Sequence, residues 1–303
     1  MTTSLDQRNL KPRVLSISDF NPDVDPSHRQ RIIPGWDQEL LRKTRVLVAG
    51  AGALGNEIIK CLIMLGFGTI YVVDFDIVVE SNLNRCVFFR LADAEQKRSK
   101  VEAISIRGKE LDPYGYVQIV PLMDEIGSQG INYNHPIFTE KKTDLVFGTF
   151  DNVASRIHMT IIAYYHNIPY IDGGMWGPIG NVFVMLPPSS PCYVCSLSEE
   201  SWIEMMKRLQ CSMRGVIEGP EMPSLPTTSS LVAAIQVQEA LKILFSRNTS
   251  DDDSGLGKPA IGKMISINLI TNDWIVYDVP KRPDCPICSH VKGEVDVSST
   301  MAP

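Results

Sequence analysis

What the chain lacks narrows its class before any motif is read. No run of about 18 apolar residues occurs in its 303 residues, so no segment reads as a membrane-spanning helix. The first residues, MTTSLDQRNLKPR, lack the continuous apolar stretch of a signal peptide, which makes the cytoplasm the expected location. Positive charge is not in surplus. Against 29 Lys and Arg stand 35 Asp and Glu, a net charge of −6, which argues against nucleic acid as a partner. Five histidines (His28, His135, His158, His166 and His290) show no ligand spacing with one another, so neither a histidine metal site nor histidine catalysis is expected. There is no internal repeat.

What is present suits an enzyme core. At 44% hydrophobic content the chain can bury a large interior. Short β-branched runs alternate with helical patterns: Arg45–Ala49, Asn56–Leu65, Thr69–Asp74, Lys97–Leu111, Val117–Pro121, Asp144–Gly148, Ala154–His166 and Tyr170–Asp172. Such alternation predicts an α/β fold with a doubly wound, mostly parallel sheet. Asn181–Leu186 and Lys263–Val279 read as antiparallel additions, and Ser229–Phe245 as a long helix with caps offered by Thr227 to Ser230. The expected organisation is a flexible arm over residues 1–26, one domain over 27–290 and a polar tail over 291–303. Within the domain, 27–186 reads as a nucleotide-binding half, 187–230 as a knuckle and crossover loop, and 231–290 as a closing helix and strands.

The stretch from Arg45 to Arg85 carries the chemistry. The strand RVLVAG turns through Gly50, Ala51, Gly52, Ala53, Leu54 and Gly55 into a helix. Glycines there allow a tight turn and close backbone approach to a phosphate, and the helix N-terminus offers free N–H groups to an anion. Asp74 ends the next strand about 20 residues later, placed to accept from ribose hydroxyls. That much fits any adenine nucleotide. Asn82 and Arg85 go further, because an Arg fork just beyond the ribose acid suits a triphosphate rather than NAD.

Seven cysteines sort by spacing. Cys192/Cys195 and Cys285/Cys288 form two C-x-x-C knuckles about 90 residues apart. Four thiolates so paired suit a closed tetrahedral zinc with Zn–S bonds of roughly 2.3 Å; two redox or disulfide pairs are the rival reading. Cys61, in an apolar helix, reads as core, and Cys86 as packing beside Arg85.

The string Asp74-Phe75-Asp76-Ile77-Val78-Val79-Glu80-Ser81-Asn82-Leu83-Asn84-Arg85-Cys86 resembles the D-x-D-x-V-x-x-S-N-L-x-R-Q of the ThiF/MoeB superfamily, which includes the ubiquitin-activating enzymes. Cys86 replaces the usual Gln. Arg29-Gln30-Arg31-Ile32-Ile33-Pro34-Gly35 is similar to the family's R-Q-I-L-L-P-G, whose Arg reaches into a partner subunit; Pro26 stands where a second Arg is usual. Lys100-Val101-Glu102 resembles the K-x-E after the Arg, two residues later than usual, so Lys97 competes for the phosphate-binding role. Asp151-Asn152-Val153-Ala154-Ser155-Arg156 resembles D-N-x-x-x-R, whose Asp holds magnesium. Asp172-Gly173-Gly174 and Gly177-Pro178-Ile179-Gly180 match the following strand and turn. The similarity covers roughly residues 27–290 and implies a Rossmann-like ThiF fold and a structural role for the zinc.

The resemblance implies adenylation of a carboxylate by ATP and Mg2+. Gly50, Gly52, Ala53, Gly55, Asp74, Asp76 and Asn82 would hold the nucleotide. Arg85, Lys97 or Lys100, and a partner's Arg29 would neutralise phosphate charge, with Asp151 and Asn152 at the metal. The substrate would be the C-terminal glycine of a small β-grasp protein, ubiquitin-like or sulfur-carrier, acted on by a homodimer, with a conjugating enzyme as a further partner. Cys211-Ser212-Met213-Arg214 resembles the signature of thioester-forming members, and a nearby Arg would supply more thiolate. Three alternatives stay open: an adenylyltransferase that serves a sulfur carrier, one that modifies a short peptide without a catalytic Cys, and a nucleotide-binding scaffold.

Overall fold

The computed structural model describes residues 25–127, 129–198, 223–246 and 255–289. Cys211 and the residues around it, almost all of the expected N-terminal arm, His290 and the expected tail lie outside the described residues.

Eight strands form one sheet in the order β3-β2-β1-β4-β5-β6-β7-β8. The first five to be threaded, β1 (Arg45–Ala49), β2 (Thr69–Val73), β3 (Gln118–Leu122), β4 (Leu145–Gly148) and β5 (Tyr170–Trp176), pair in parallel. β6 (Ile179–Met185), β7 (Lys263–Asn268) and β8 (Asp273–Asp278) extend it antiparallel. The expected architecture holds: a doubly wound, mostly parallel sheet with an antiparallel C-terminal extension.

The central strands are buried on both faces, which explains their unbroken apolar runs. Val46, Val48, Ile70, Val72 and Phe147 point into one core, with α3 (Ala53–Leu65), α5 (Lys100–Leu111) and α8 (Pro226–Ser246) over them. Leu47, Ala49, Tyr71, Val73 and Val146 point into the other, covered by α7 (Val153–His166) and the four knuckle cysteines. The strand order reverses between β1 and β4, and this is where doubly wound sheets open a crevice beyond their carboxyl ends.

Short helices α1 (His28–Arg31), α2 (Gln38–Lys43), α4 (Leu91–Glu95) and α6 (Pro136–Thr139) complete the described elements, with 3-10 turns at Glu80–Asn82 and Tyr193–Ser196. Most boundaries differ from the sequence reading by a few residues, and two of the shifts have a local cause. α5 begins at Lys100, not Lys97, because Lys97 adopts a left-handed φ of 49° and the Ser99 hydroxyl caps the helix by accepting from the Glu102 N–H. α8 begins at Pro226, so the supposed caps Thr227 to Ser230 lie inside it; a proline ring fits a first helical turn, where no N–H partner is needed. No helix among the described residues is long and apolar enough to cross a membrane.

Candidate nucleotide site and cysteine cluster

A cavity of about 510 Å³ opens at the crevice between β1 and β4. Its floor is the turn after β1. Gly50 has a φ of +108°, and a side chain there would meet Thr149 Oγ1 at 2.4 Å. Gly55 does not line the cavity. A Cβ at Gly55 would lie 2.0 Å from the Gly50 carbonyl oxygen, so its role is to let α3 pack onto the turn. A Cβ at Gly52 would meet nothing within 4 Å, which leaves this backbone open toward the cavity.

Asp74 stands beside the turn. One carboxylate oxygen accepts from the Ala51 N–H at 2.7 Å, the other from the Asp76 N–H at 2.8 Å. Burial pushes its carboxyl up from 3.8 against the pull of Lys100 and these two donors. The Lys100 ammonium lies 2.6 Å from Asp76 Oδ2. Burial alone would lower the lysine, but Asp74 and Asp76 more than offset it and hold the pKa above 10.5.

Asn82 accepts from the Val79 N–H at 3.2 Å, folding the turn that brings Arg85 to the cavity wall. Arg85 donates to the Ser81 carbonyl and, at 3.0 Å, to Asn84 Oδ1. Cys86, beside it, is only 4% exposed, and burial pushes its thiol up to about 11. Asp151 and Asn152 form the opposite wall, Asn152 capping α7 by accepting from the Ser155 N–H at 2.8 Å. Lys100 lines the cavity, whereas Lys97 is exposed and does not. Arg29 is exposed on α1, away from its own chain's cavity wall.

The other cluster is sulfur. Cys192, Cys195, Cys285 and Cys288 are all buried, with their Sγ atoms within 4.8 Å of one another. Cys192 lies 3.4 Å from Cys285, and Cys195 3.4 Å from Cys288. A tetrahedral ion with bonds of roughly 2.3 Å needs sulfurs about 3.8 Å apart. The donor set therefore fits zinc, and four buried thiolates need a cation to coexist.

The ThiF family model matches residues 27–287. The chain belongs to the ThiF family. It is 30% identical over 159 residues to a ubiquitin-activating enzyme E1-like protein of Saccharomyces cerevisiae, a match covering 52% of this chain but 24% of that protein. Against the molybdopterin-synthase adenylyltransferase of Escherichia coli K12 it is 28% identical over 268 residues, covering 86% of this chain and 94% of that one. Its fold matches that of E. coli MccB solved with AMPCPP and MccA, with a TM-score of 0.68 over 87% of this chain and 74% of the other; at 18% identity the likeness is one of fold.

This ThiF chain uses residues that motif reading misses. Asn56, fully buried, donates to the Ala51 and Gly52 carbonyls and accepts from the Phe88 N–H at 3.0 Å, tying the glycine turn to the segment after Arg85. A lone Asn in an apolar helix was the available signal. The Thr149 hydroxyl donates to the Ala49 and Gly50 carbonyls at 3.0 Å. Asp124, Glu125 and Ile126, just beyond β3, line the cavity too, and no pattern in the loop marks them.

Proposed function

We propose that this protein adenylates the C-terminal carboxylate of a small β-grasp protein, using ATP and Mg2+. One observation carries the reading: Arg85, Lys100 and Asp151 meet in the same cavity as Gly52 and Asp74. A nucleotide needs the last two; only chemistry at the phosphates needs the first three.

A carboxylate is a poor acyl donor because oxide is a bad leaving group. In the proposed reaction a carboxylate oxygen attacks the α-phosphorus, an O–P bond forms, and pyrophosphate leaves with the electrons of the broken bond. Arg85 and Lys100 offset the charge that gathers on the phosphoryl oxygens, joined by Arg29 of a second copy. Asp74 binds the ribose, and the Gly50–Gly55 turn admits the phosphates. Asp151 would hold magnesium, which ordinarily takes one or two carboxylates together with substrate phosphates and supplies further positive charge there. The cysteine cluster would hold zinc as a closed site without an open position for chemistry, fastening the C-terminal segment to the middle of the chain.

A protein substrate is supported by β8. Trp274, Ile275, Val276 and Tyr277 are 54%, 58%, 56% and 49% exposed on this strand, which among the described residues pairs with β7 alone. An exposed apolar edge of this kind is normally covered by a partner.

In the finer form of the proposal Cys211 attacks the adenylate, a C–S bond forms and AMP leaves. The near full-length likeness to the molybdopterin-synthase adenylyltransferase favours a second reading, in which the enzyme stops at the adenylate. Incubation with MgATP and carriers ending in Gly-Gly, read by intact mass and non-reducing gel, separates them. A thiol-sensitive adduct lost in Cys211→Ala supports the thioester, and adenylate formation indifferent to that change supports the second reading.

A further inference from the structure

Arg156 is buried at the start of α7, 8% exposed, and reaches three separate pieces of the chain. One guanidinium nitrogen donates to Asp172 Oδ2 on β5, and another to the Phe150 carbonyl in the loop that carries Asp151. The Tyr170 hydroxyl donates to the other Asp172 oxygen at 2.8 Å, so the carboxylate is held from two sides. Burial pushes Asp172 up, opposed by Arg156 and Tyr170. The guanidinium carbon also lies 5.7 Å from the centre of the Tyr193 ring, within reach of a cation–π contact. Tyr193 is the first residue inside the Cys192-x-x-Cys195 knuckle. The same knuckle is tied to the far end of α7, where the Tyr164 hydroxyl donates to the Ser190 and Pro191 carbonyls at 2.9 and 2.8 Å.

These contacts leave little slack. A Cβ at Gly174 would meet an Arg156 nitrogen at 3.2 Å, and one at Gly148 would meet the Tyr170 hydroxyl at 2.4 Å. The backbone of β4 and β5 is thus fitted around the Arg156–Asp172–Tyr170 group. The Phe150 carbonyl is a neighbour of Asp151 in the chain, so the fork fixes where the acid stands.

We propose that Arg156 is the positioning residue of the Asp151 loop, and that Tyr193 backs it, so that the cysteine knuckle supports the nucleotide site from behind. The inference rests on the reading of Asp151 as the magnesium carboxylate. It adds that a side chain within the sulfur cluster influences magnesium-dependent nucleotide binding.

The test is calorimetric binding of ATP to the full chain, in EDTA and across a magnesium series, for wild type, Arg156→Met, Arg156→Lys and Tyr193→Leu. Zinc content and melting temperature are recorded for each. In Arg156→Met the magnesium concentration for half-maximal tightening should rise about tenfold or more, the usual effect of removing a group that orients a metal ligand. Affinity in EDTA should stay within about twofold, since Asp74 and the glycine turn are untouched. Arg156→Lys should recover part of the loss, because an ammonium keeps the charge without the fork. Tyr193→Leu, which also covers the case in which Arg156→Met fails to fold, should shift the magnesium series about threefold with zinc retained. Wild-type magnesium dependence in folded Arg156→Met, or in Tyr193→Leu, would overturn the proposal. Equal weakening with and without magnesium would overturn it as well, since that is loss of structure alone. A wild type whose ATP binding ignores magnesium contradicts the Asp151 reading itself and takes this inference with it.

Discussion

Lys100 Nζ lies 2.6 Å from Asp76 Oδ2, so the cation we propose for the triphosphate is held by the second acid of the Asp74–Asp76 pair. Lys97, three residues earlier, is exposed and outside the cavity wall. Replacing Lys100 with Met should therefore slow ATP–pyrophosphate exchange by about 100-fold or more, as for loss of one preorganised charge at a transition state. Lys97→Met should stay within about twofold. Equal losses in the two variants would remove Lys100 from its assigned role.

Lys100, faced by both Asp74 and Asp76, also sets a pH dependence. The folded pKa of Lys100 is raised, so its contribution to stability is complete below its unfolded value. That contribution fades as pH climbs through the folded value, above 10.5. Melts on the alkaline side should show the wild type losing more stability above this pH than Lys100→Met. Parallel curves would contradict the pairing.

Gly52 and Gly55 should separate stability from binding. Gly55→Ala would place its methyl 2.0 Å from the Gly50 carbonyl oxygen. It should cost on the order of 1 to 3 kcal/mol and lower the melting temperature by about 5 °C. Gly52→Ala meets nothing within 4 Å in the fold. Its melt should match the wild type to within about 1 to 2 °C, while ATP affinity falls about tenfold because the methyl occupies the phosphate's approach. A Gly52→Ala protein that binds ATP normally would displace the phosphate from this turn.

Cys86 should be silent toward alkylation. Burial holds its thiol at about 11, so at neutral pH almost none is thiolate, the reactive form. Peptide mapping after iodoacetamide should find Cys86 unlabelled in the folded protein and labelled in urea. Labelling at the rate of an ordinary exposed thiol would show that this wall of the cavity is open.

The sheet was readable in the chain because β1, β2 and β4 are buried on both faces and appear as short apolar runs bounded by turn residues. Asp74 could be found as an acid at a strand end, and Arg85 and Asp151 through the motifs that resemble the family's; all three line the cavity. The start of α5 could not, since Lys97 and Lys100 both follow polar residues and a left-handed turn decides between them. Asn56 and Thr149 were hidden for another reason: their bonds go to backbone N–H and carbonyl groups, which any sequence offers. Asp124 and Glu125 reach the cavity because β3 is the neighbour of β2, a tertiary fact with no local pattern. Arg156 could be seen as a motif residue, but its grip on Phe150 and Asp172 depends on β4 and β5 being adjacent.

The most direct test of carboxylate adenylation is ATP–pyrophosphate exchange, measured for wild type and Asp151→Ala with and without a panel of small proteins ending in Gly-Gly. Exchange that requires a carrier and magnesium, and that falls by about 100-fold or more in the variant, is the expected result. Exchange in Asp151→Ala at the wild-type rate, or none in the wild type with any carrier in the panel, would contradict the account.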